Sequence, residues 1–198
     1  MRITYNAPVT LTFTILSAMV LLADTITRTG IIESLFVVGP TMSLADPVDY
    51  LRLVTHAVGH AGWGHLVSNF AFILLLGPIL EEKHGSGPLL VMMILTALVT
   101  GVLNVLLFPT GLLGASGIVF MMILLSSFTN FRRGQIPLTF ILVVLLYLTR
   151  EVVTAFQADS ISQFAHIAGG VCGSLFGFLK PPSGARAYEH RSSDDRQA

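Results

Sequence analysis

Long apolar runs broken by short polar stretches fill most of the chain. Six of them approach the ~20 residues that a helix needs to cross a ~30 Å hydrocarbon core. They are Val9–Ala23, Trp63–Leu80, Leu89–Phe108, Gly117–Phe128, Ile136–Leu148 and Ile161–Leu179. The first resembles a signal-peptide core with Arg2 as its leading charge. No small-x-small cleavage site follows it, so it reads as an uncleaved span. Between the first two runs lies Asp24–Gly62, too polar to cross and too apolar to be a free linker. Asp46-Pro47 is a helix start, an N-cap acid with proline in the first turn, and Val48, Leu51, Val54, Thr55 and Val58 follow at helical spacing. This predicts a helix lying in the outer interface. From Lys180 the chain turns polar through Pro181-Pro182, which predicts a loose tail. The expected architecture is an all-α polytopic bundle of six transmembrane helices. It forms one domain over residues 1–180, with an interfacial helical loop between helices 1 and 2, a polar cytoplasmic tail over 181–198, and almost nothing ahead of the first span.

Composition sharpens this picture. Of 198 residues, 53% are hydrophobic and 11% charged, against roughly 25% charged in soluble domains. With a mean hydropathy of +0.77, a soluble or disordered chain is excluded. Eleven basic and eleven acidic residues give zero net charge, so nothing points to nucleic acid. One cysteine, Cys172, excludes an internal disulfide and a cysteine-clustered metal site. Lys and Arg set the orientation. With the amino terminus inside, Arg2, Lys83, Arg132, Arg133, Lys180, Arg186, Arg191 and Arg196 lie inside, and Arg28, Arg52 and Arg150 outside. Both termini are therefore expected in the cytoplasm. No internal repeat suggests a transporter built from inverted halves.

Polar groups inside a bilayer are costly and mark function. Here they cluster. His56, His60, His65 and Asn69 lie around the start of the second span, Ser116 at the start of the fourth, and His166 near the start of the sixth. At ~1.5 Å per residue from the nearest inner basic residue, Ser116 sits about 24 Å up, His166 about 21 Å, His65 about 27 Å and Asn69 about 21 Å. Three spans thus place polar groups in one layer near the outer face. Ser and His are the minimal nucleophile and general base of acyl transfer. No Asp stands at that depth to orient the His, so a dyad is expected. His65 and Asn69, four apart on one helix face, can both donate to an oxyanion, as can the Ser116 amide at a helix start. Gly114 and Gly117 flank the serine and permit close backbone approach. Gly169, Gly173 and Gly177 follow His166 at small-xxx-small spacing, which lets two helices press together.

These residues are similar to those of the rhomboid family of intramembrane serine proteases, in its compact six-helix bacterial form. His56-Ala57-x-x-His60, His65 and Asn69 match its second-helix pattern, Gly114-x-Ser116-Gly117 its nucleophile motif, and Ala165-His166-x-x-Gly169-x-x-x-Gly173 its base and packing glycines. The resemblance covers residues 8–180. It implies Ser116 as nucleophile, His166 as base, and His65, Asn69 and the Ser116 amide as oxyanion hole. Arg52 falls where the family has a Trp-Arg pair in the first outer loop, with Leu51 replacing the tryptophan. Glu81 matches an acidic residue of the second helix. Phe120 stands where many relatives place a tyrosine against the imidazole, and a phenylalanine can still stack there. Also implied are no cofactor, single-pass transmembrane proteins as substrates, the lipid bilayer as surroundings, and residence in a bacterial cytoplasmic membrane.

Plainer readings stand beside these. Gly-x-Ser-Gly is also a packing motif. His56 and His60 are expected as loop-structural residues near the surface, bonding backbone carbonyls. Glu81, Glu82, Lys83 and His84 read as a solvated inner loop, and Asn104 as a bond to another helix. His56 and His60 have the i, i+4 spacing of a zinc pair, but Ala57 occupies the place of the general-base Glu. A catalytically inactive rhomboid-like protein that binds or escorts membrane proteins is the alternative function. Ser116 and His166, which such members usually lack, count against it. A channel or transporter comes third.

Overall fold

The computed structural model of the chain describes residues 5–127 and 160–179, with helical positions 138, 141, 142 and 145 between them. Seven helices are delimited there: α1 Pro8–Thr27, α2 Ile31–Leu35, α3 Pro47–Thr55, α4 Trp63–His84, α5 Ser86–Leu107, α6 Ser116–Ser127 and α7 Ser160–Leu179. Among the described residues the only β pairing is an isolated bridge between Val38 and Leu112. Helices α1, α4 and α5 are long and apolar enough to cross a membrane, and α6 and the Phe164–Leu179 part of α7 are shorter apolar helices. The fifth run, Ile136–Leu148, apart from those four positions, and the tail 181–198 lie outside the described residues.

Helix α6 is the axis of the fold. Every residue from Gly117 to Leu125 is buried, which fits its apolar character all round. Its main neighbour is α7, with α4 and α5 also packed on it. A Cβ on Gly169 would collide with the Gly117 backbone, and one on Gly173 with the Met121 backbone. The two glycines are what allow α7 to lie this close. Outward faces of α1, α4 and α5 carry exposed Met19, Leu75 and Val91, an apolar exterior suited to lipid rather than water.

Helix α1 runs on to Thr27, so the segment expected from Asp24 begins only at Arg28, and α3 starts where the proline signal predicts. Asp46 caps α3 by accepting from the Val48 N–H at 2.9 Å, with Pro47 in the first turn. Leu53 packs against Gly101 of α5, while Leu51 points outward at 62% exposure. The segment also contains α2, which periodicity did not predict.

Residues 81–84 are not a solvated loop. They form the last turn of α4, and Glu81 and His84 are buried. The Glu81 carboxylate accepts from the N–H groups of Val9 and Thr10 at 2.9 and 3.0 Å, from the Thr10 hydroxyl at 2.8 Å and from the Ser86 hydroxyl at 2.7 Å. It caps α1, whose own N-cap residue, Ala7, offers no side-chain acceptor. Thr10 in turn fills the space that Gly77 leaves open on α4.

Candidate functional site

Ser116 is the first residue of α6, half-buried between buried neighbours Ala115 and Gly117. The loop before it is fastened on three sides. Asn104 donates to the Thr110 carbonyl at 2.9 Å, so it braces the loop after its own helix rather than a second helix. Leu112 and Val38 exchange backbone bonds, and the Gly114 N–H donates to the His56 carbonyl at 2.9 Å.

Gly114 has φ +114°, a backbone conformation that favours glycine. A Cβ there would meet His65 Cε1 at 2.5 Å and Nε2 at 2.7 Å, with Asn69 Nδ2 at 3.7 Å. The missing side chain thus brings the serine loop onto His65 and Asn69. On the other side, a Cβ on Gly117 would lie 3.3 Å from the Ala165 carbonyl oxygen and 3.1 Å from Thr100 Cγ2. Ala165 directly precedes His166. The half-buried His166 ring stacks on Phe120, centroids 4.1 Å apart and planes 6° from parallel. Phe120 follows Ser116 by four residues and so shares its face of α6. The junction of α4, α6 and α7 therefore gathers the segments that carry Ser116, His166, His65 and Asn69.

His56 and His60 lie deeper than expected. Both are buried, although both do bond carbonyls. His56 Nε2 is 3.0 Å from the Ala97 oxygen and 3.4 Å from the Thr100 hydroxyl. His60 Nδ1 is 3.1 Å from the Val58 oxygen, and its Nε2 is 3.1 Å from Asn69 Nδ2. Burial pushes His56 down to about 4 against the opposing pull of the Ala97 and Gly114 backbone. Burial does the same to His60, against the Val58 carbonyl and with help from nearby His65. These partners engage His56 through Nε2 and His60 through both ring nitrogens. Among the described residues no three His, Cys, Asp or Glu side chains could hold a metal ion.

Arg52 serves the segment beside the site. It pairs with Asp49 at 2.6 Å and donates to the Ser34 carbonyl, tying α3 to α2. Asp49 also accepts from the Ser43 N–H at 2.8 Å. That bond, ahead of Arg52, holds the carboxyl below its ordinary value although burial opposes it. Glu81 stands sixteen residues beyond His65 on α4, about 24 Å away, and takes no part in the junction.

Sequence reasoning missed Thr100 and Gly101. Thr100 lies between His56 and Gly117, and Gly101 admits Leu53. Thr96-x-x-x-Thr100-Gly101 inside an apolar run was the available signal, a small polar stripe along one helix face.

A half-buried hydroxyl, an imidazole fixed by ring stacking, and two side-chain donors on a glycine loop can together support attack on a carbonyl. Residues 47–183 match the Rhomboid domain family. The chain is 24% identical over 162 residues to Rhomboid-like protein 11, chloroplastic, of Arabidopsis thaliana, which covers 73% of this chain and 58% of the plant protein. It is 22% identical over 131 residues to Rhomboid protease GlpG of Haemophilus influenzae, covering 65% of this chain and 68% of that protein.

Proposed function

The chain belongs to the rhomboid family, and we propose that it is an intramembrane serine endopeptidase that needs no cofactor. The observation that carries this reading is the double contact of the serine loop. Gly114 lies on His65 and Asn69, and Gly117 lies on the Ala165 carbonyl beside His166. In the proposed reaction the Ser116 hydroxyl attacks a peptide carbonyl while His166 takes its proton. The oxyanion is met by His65, Asn69 and the Ser116 N–H. His166 then returns the proton to the leaving amine, and water cleaves the acyl-enzyme in the same way.

The domain proposed here spans residues 1–180 and crosses the membrane six times, with both termini and the 181–198 tail in the cytoplasm. Segment 24–62 lies in the outer interface and shields the junction. Exposed Leu44 and Leu51 in that segment support this placement. The proposed substrates are single-pass membrane proteins, and the proposed home is a bacterial cytoplasmic membrane. A helix hides its carbonyls in hydrogen bonds, so the cut falls where small or helix-breaking residues let it unwind.

The deciding experiment incubates detergent-purified protein with a panel of transmembrane test substrates, wild type beside Ser116→Ala, and probes both with a fluorophosphonate. Cleavage and Ser116 labelling, both lost in the variant, are expected. Cutting by Ser116→Ala at the wild-type rate would end the serine mechanism. A folded wild type that neither cuts nor labels would favour the binding or escort role.

A further inference from the structure

We infer that His60 is a positioning residue that decides which end of the Asn69 side chain faces the reacting carbonyl. This rests on the protease reading above. The argument starts from the Val58 carbonyl oxygen, which can only accept a hydrogen bond. It lies 3.1 Å from His60 Nδ1, so that nitrogen carries a proton. A neutral imidazole has one ring N–H, so Nε2 is left with a bare lone pair. The atom 3.1 Å from that lone pair, Asn69 Nδ2, must donate.

The chain of bonds fixes a choice that Asn69 cannot make by shape. Its amide oxygen and nitrogen are nearly equal in size, and a half-turn about the last bond exchanges them. With Nδ2 held by His60, one of its two N–H groups remains unspent. The same Nδ2 lies 3.7 Å from the Cβ position of Gly114, in front of the loop that carries Ser116. A half-turn would place the carbonyl oxygen there, and an oxygen would repel a developing oxyanion. The His60 ring is itself held between His65, edge-on at 5.0 Å between centroids, and Phe70 at 5.5 Å. His60 has no solvent exposure and does not touch substrate. It acts through Asn69.

Two measurements test this. The first is 15N NMR of histidine-labelled protein in detergent, with His60 assigned by its loss in His60→Gln. The Nδ1–H tautomer is expected, and an Nε2–H tautomer would overturn the inference whether or not the protein is a protease. The second compares His60→Asn with His60→Gln. The Asn amide can still donate to Val58 but lacks an acceptor for Asn69, whereas the Gln oxygen can stand in for Nε2. His60→Asn should lower kcat about tenfold or more with KM little changed, a share of the ~10²–10³ that one oxyanion donor supplies. His60→Gln should recover most of it, and in an Asn69→Ala background the two variants should not differ. A wild type that neither cuts substrate nor labels at Ser116 would defeat the protease reading, and with it the catalytic half of the inference, while the NMR result would still decide the tautomer. An unchanged gap between the two His60 variants in the absence of Asn69 would overturn the inference with the protease reading intact.

Discussion

Phe120 and His166 form a parallel ring stack 4.1 Å between centroids, joining the helix that begins with Ser116 to the helix that supplies the imidazole. The stack helps to hold the plane of the His166 ring, the proposed base. Phe120→Tyr should therefore keep near wild-type kcat, whereas Phe120→Ala should lose about 1 kcal/mol of aromatic contact and its burial besides. The aromatic part alone corresponds to roughly fivefold in rate if it falls on the transition state. Steady-state cleavage of one substrate by the three proteins checks this.

His65→Ala and Asn69→Ala should each lower kcat by about 10²–10³ and change KM little, because oxyanion donors act on the transition state. A loss confined to KM would assign both side chains to substrate binding instead.

Gly169→Ala and Gly173→Ala each push a methyl group into the backbone of α6. Overpacking of this kind costs about 1–3 kcal/mol, so both variants should melt lower. Gly64→Ala is the control. It is the second residue of α4 with nothing within 4 Å of the added carbon, and should melt close to wild type. Thermal melts of the three variants in one detergent test the contrast.

Arg52→Ala should also lower the melting temperature. It removes the Ser34 contact and leaves Asp49 with the Ser43 N–H alone. An exposed ion pair contributes little by itself, so the loss falls mainly on the tie between α3 and α2. Equal melting of Arg52→Ala and wild type would remove the anchoring role.

Acid should destabilise the fold through His56 and His60. Both titrate at about 4 in the folded chain and near 6.5 when unfolded. Between those values the unfolded state binds more protons, so stability is fully present above pH ~6.5 and falls as pH drops toward ~4. Each histidine contributes up to about 3 kcal/mol across that window. The groups facing His60 are His65 and Asn69, and those facing His56 are the Ala97 carbonyl and Thr100. His60→Gln should flatten the dependence between pH 7 and 5, read as melting temperature against pH.

Much of this was legible in the chain because lipid exposure writes itself locally. Apolar runs located α1, α4, α5 and α6 to within a few residues, and the proline after Asp46 located α3. The meeting of the Gly114 loop with His65 and of Phe120 with His166 was foreshadowed by their similar count of residues from the inner charges. What was not legible depended on partners far away in sequence. Glu81 and His84 look like the end of a span, yet α4 continues through them because Val9 and Thr10 satisfy the Glu81 carboxylate. His56 looks like a surface loop residue until Ala97 and Thr100 close over it. The Leu53 backbone can lie against α5 because Gly101 carries no side chain there.

The cap on α1 also reads direction. Helix N-termini offer N–H groups and C-termini offer carbonyls, so a carboxylate accepts one end and repels the other. Glu81 belongs to the C-terminal turn of α4, where its own helix disfavours it, and it is stabilised by the opposite pole of α1. A first helix docked upside down would present oxygens to a buried anion. The chain thus carries a polarity check separate from the count of loop charges. Its timing is fixed as well, because Glu81 lies 72 and 71 residues after its backbone partners Val9 and Thr10. Helix α1 precedes α4 in the chain, so this contact can form only once the end of α4 has been made.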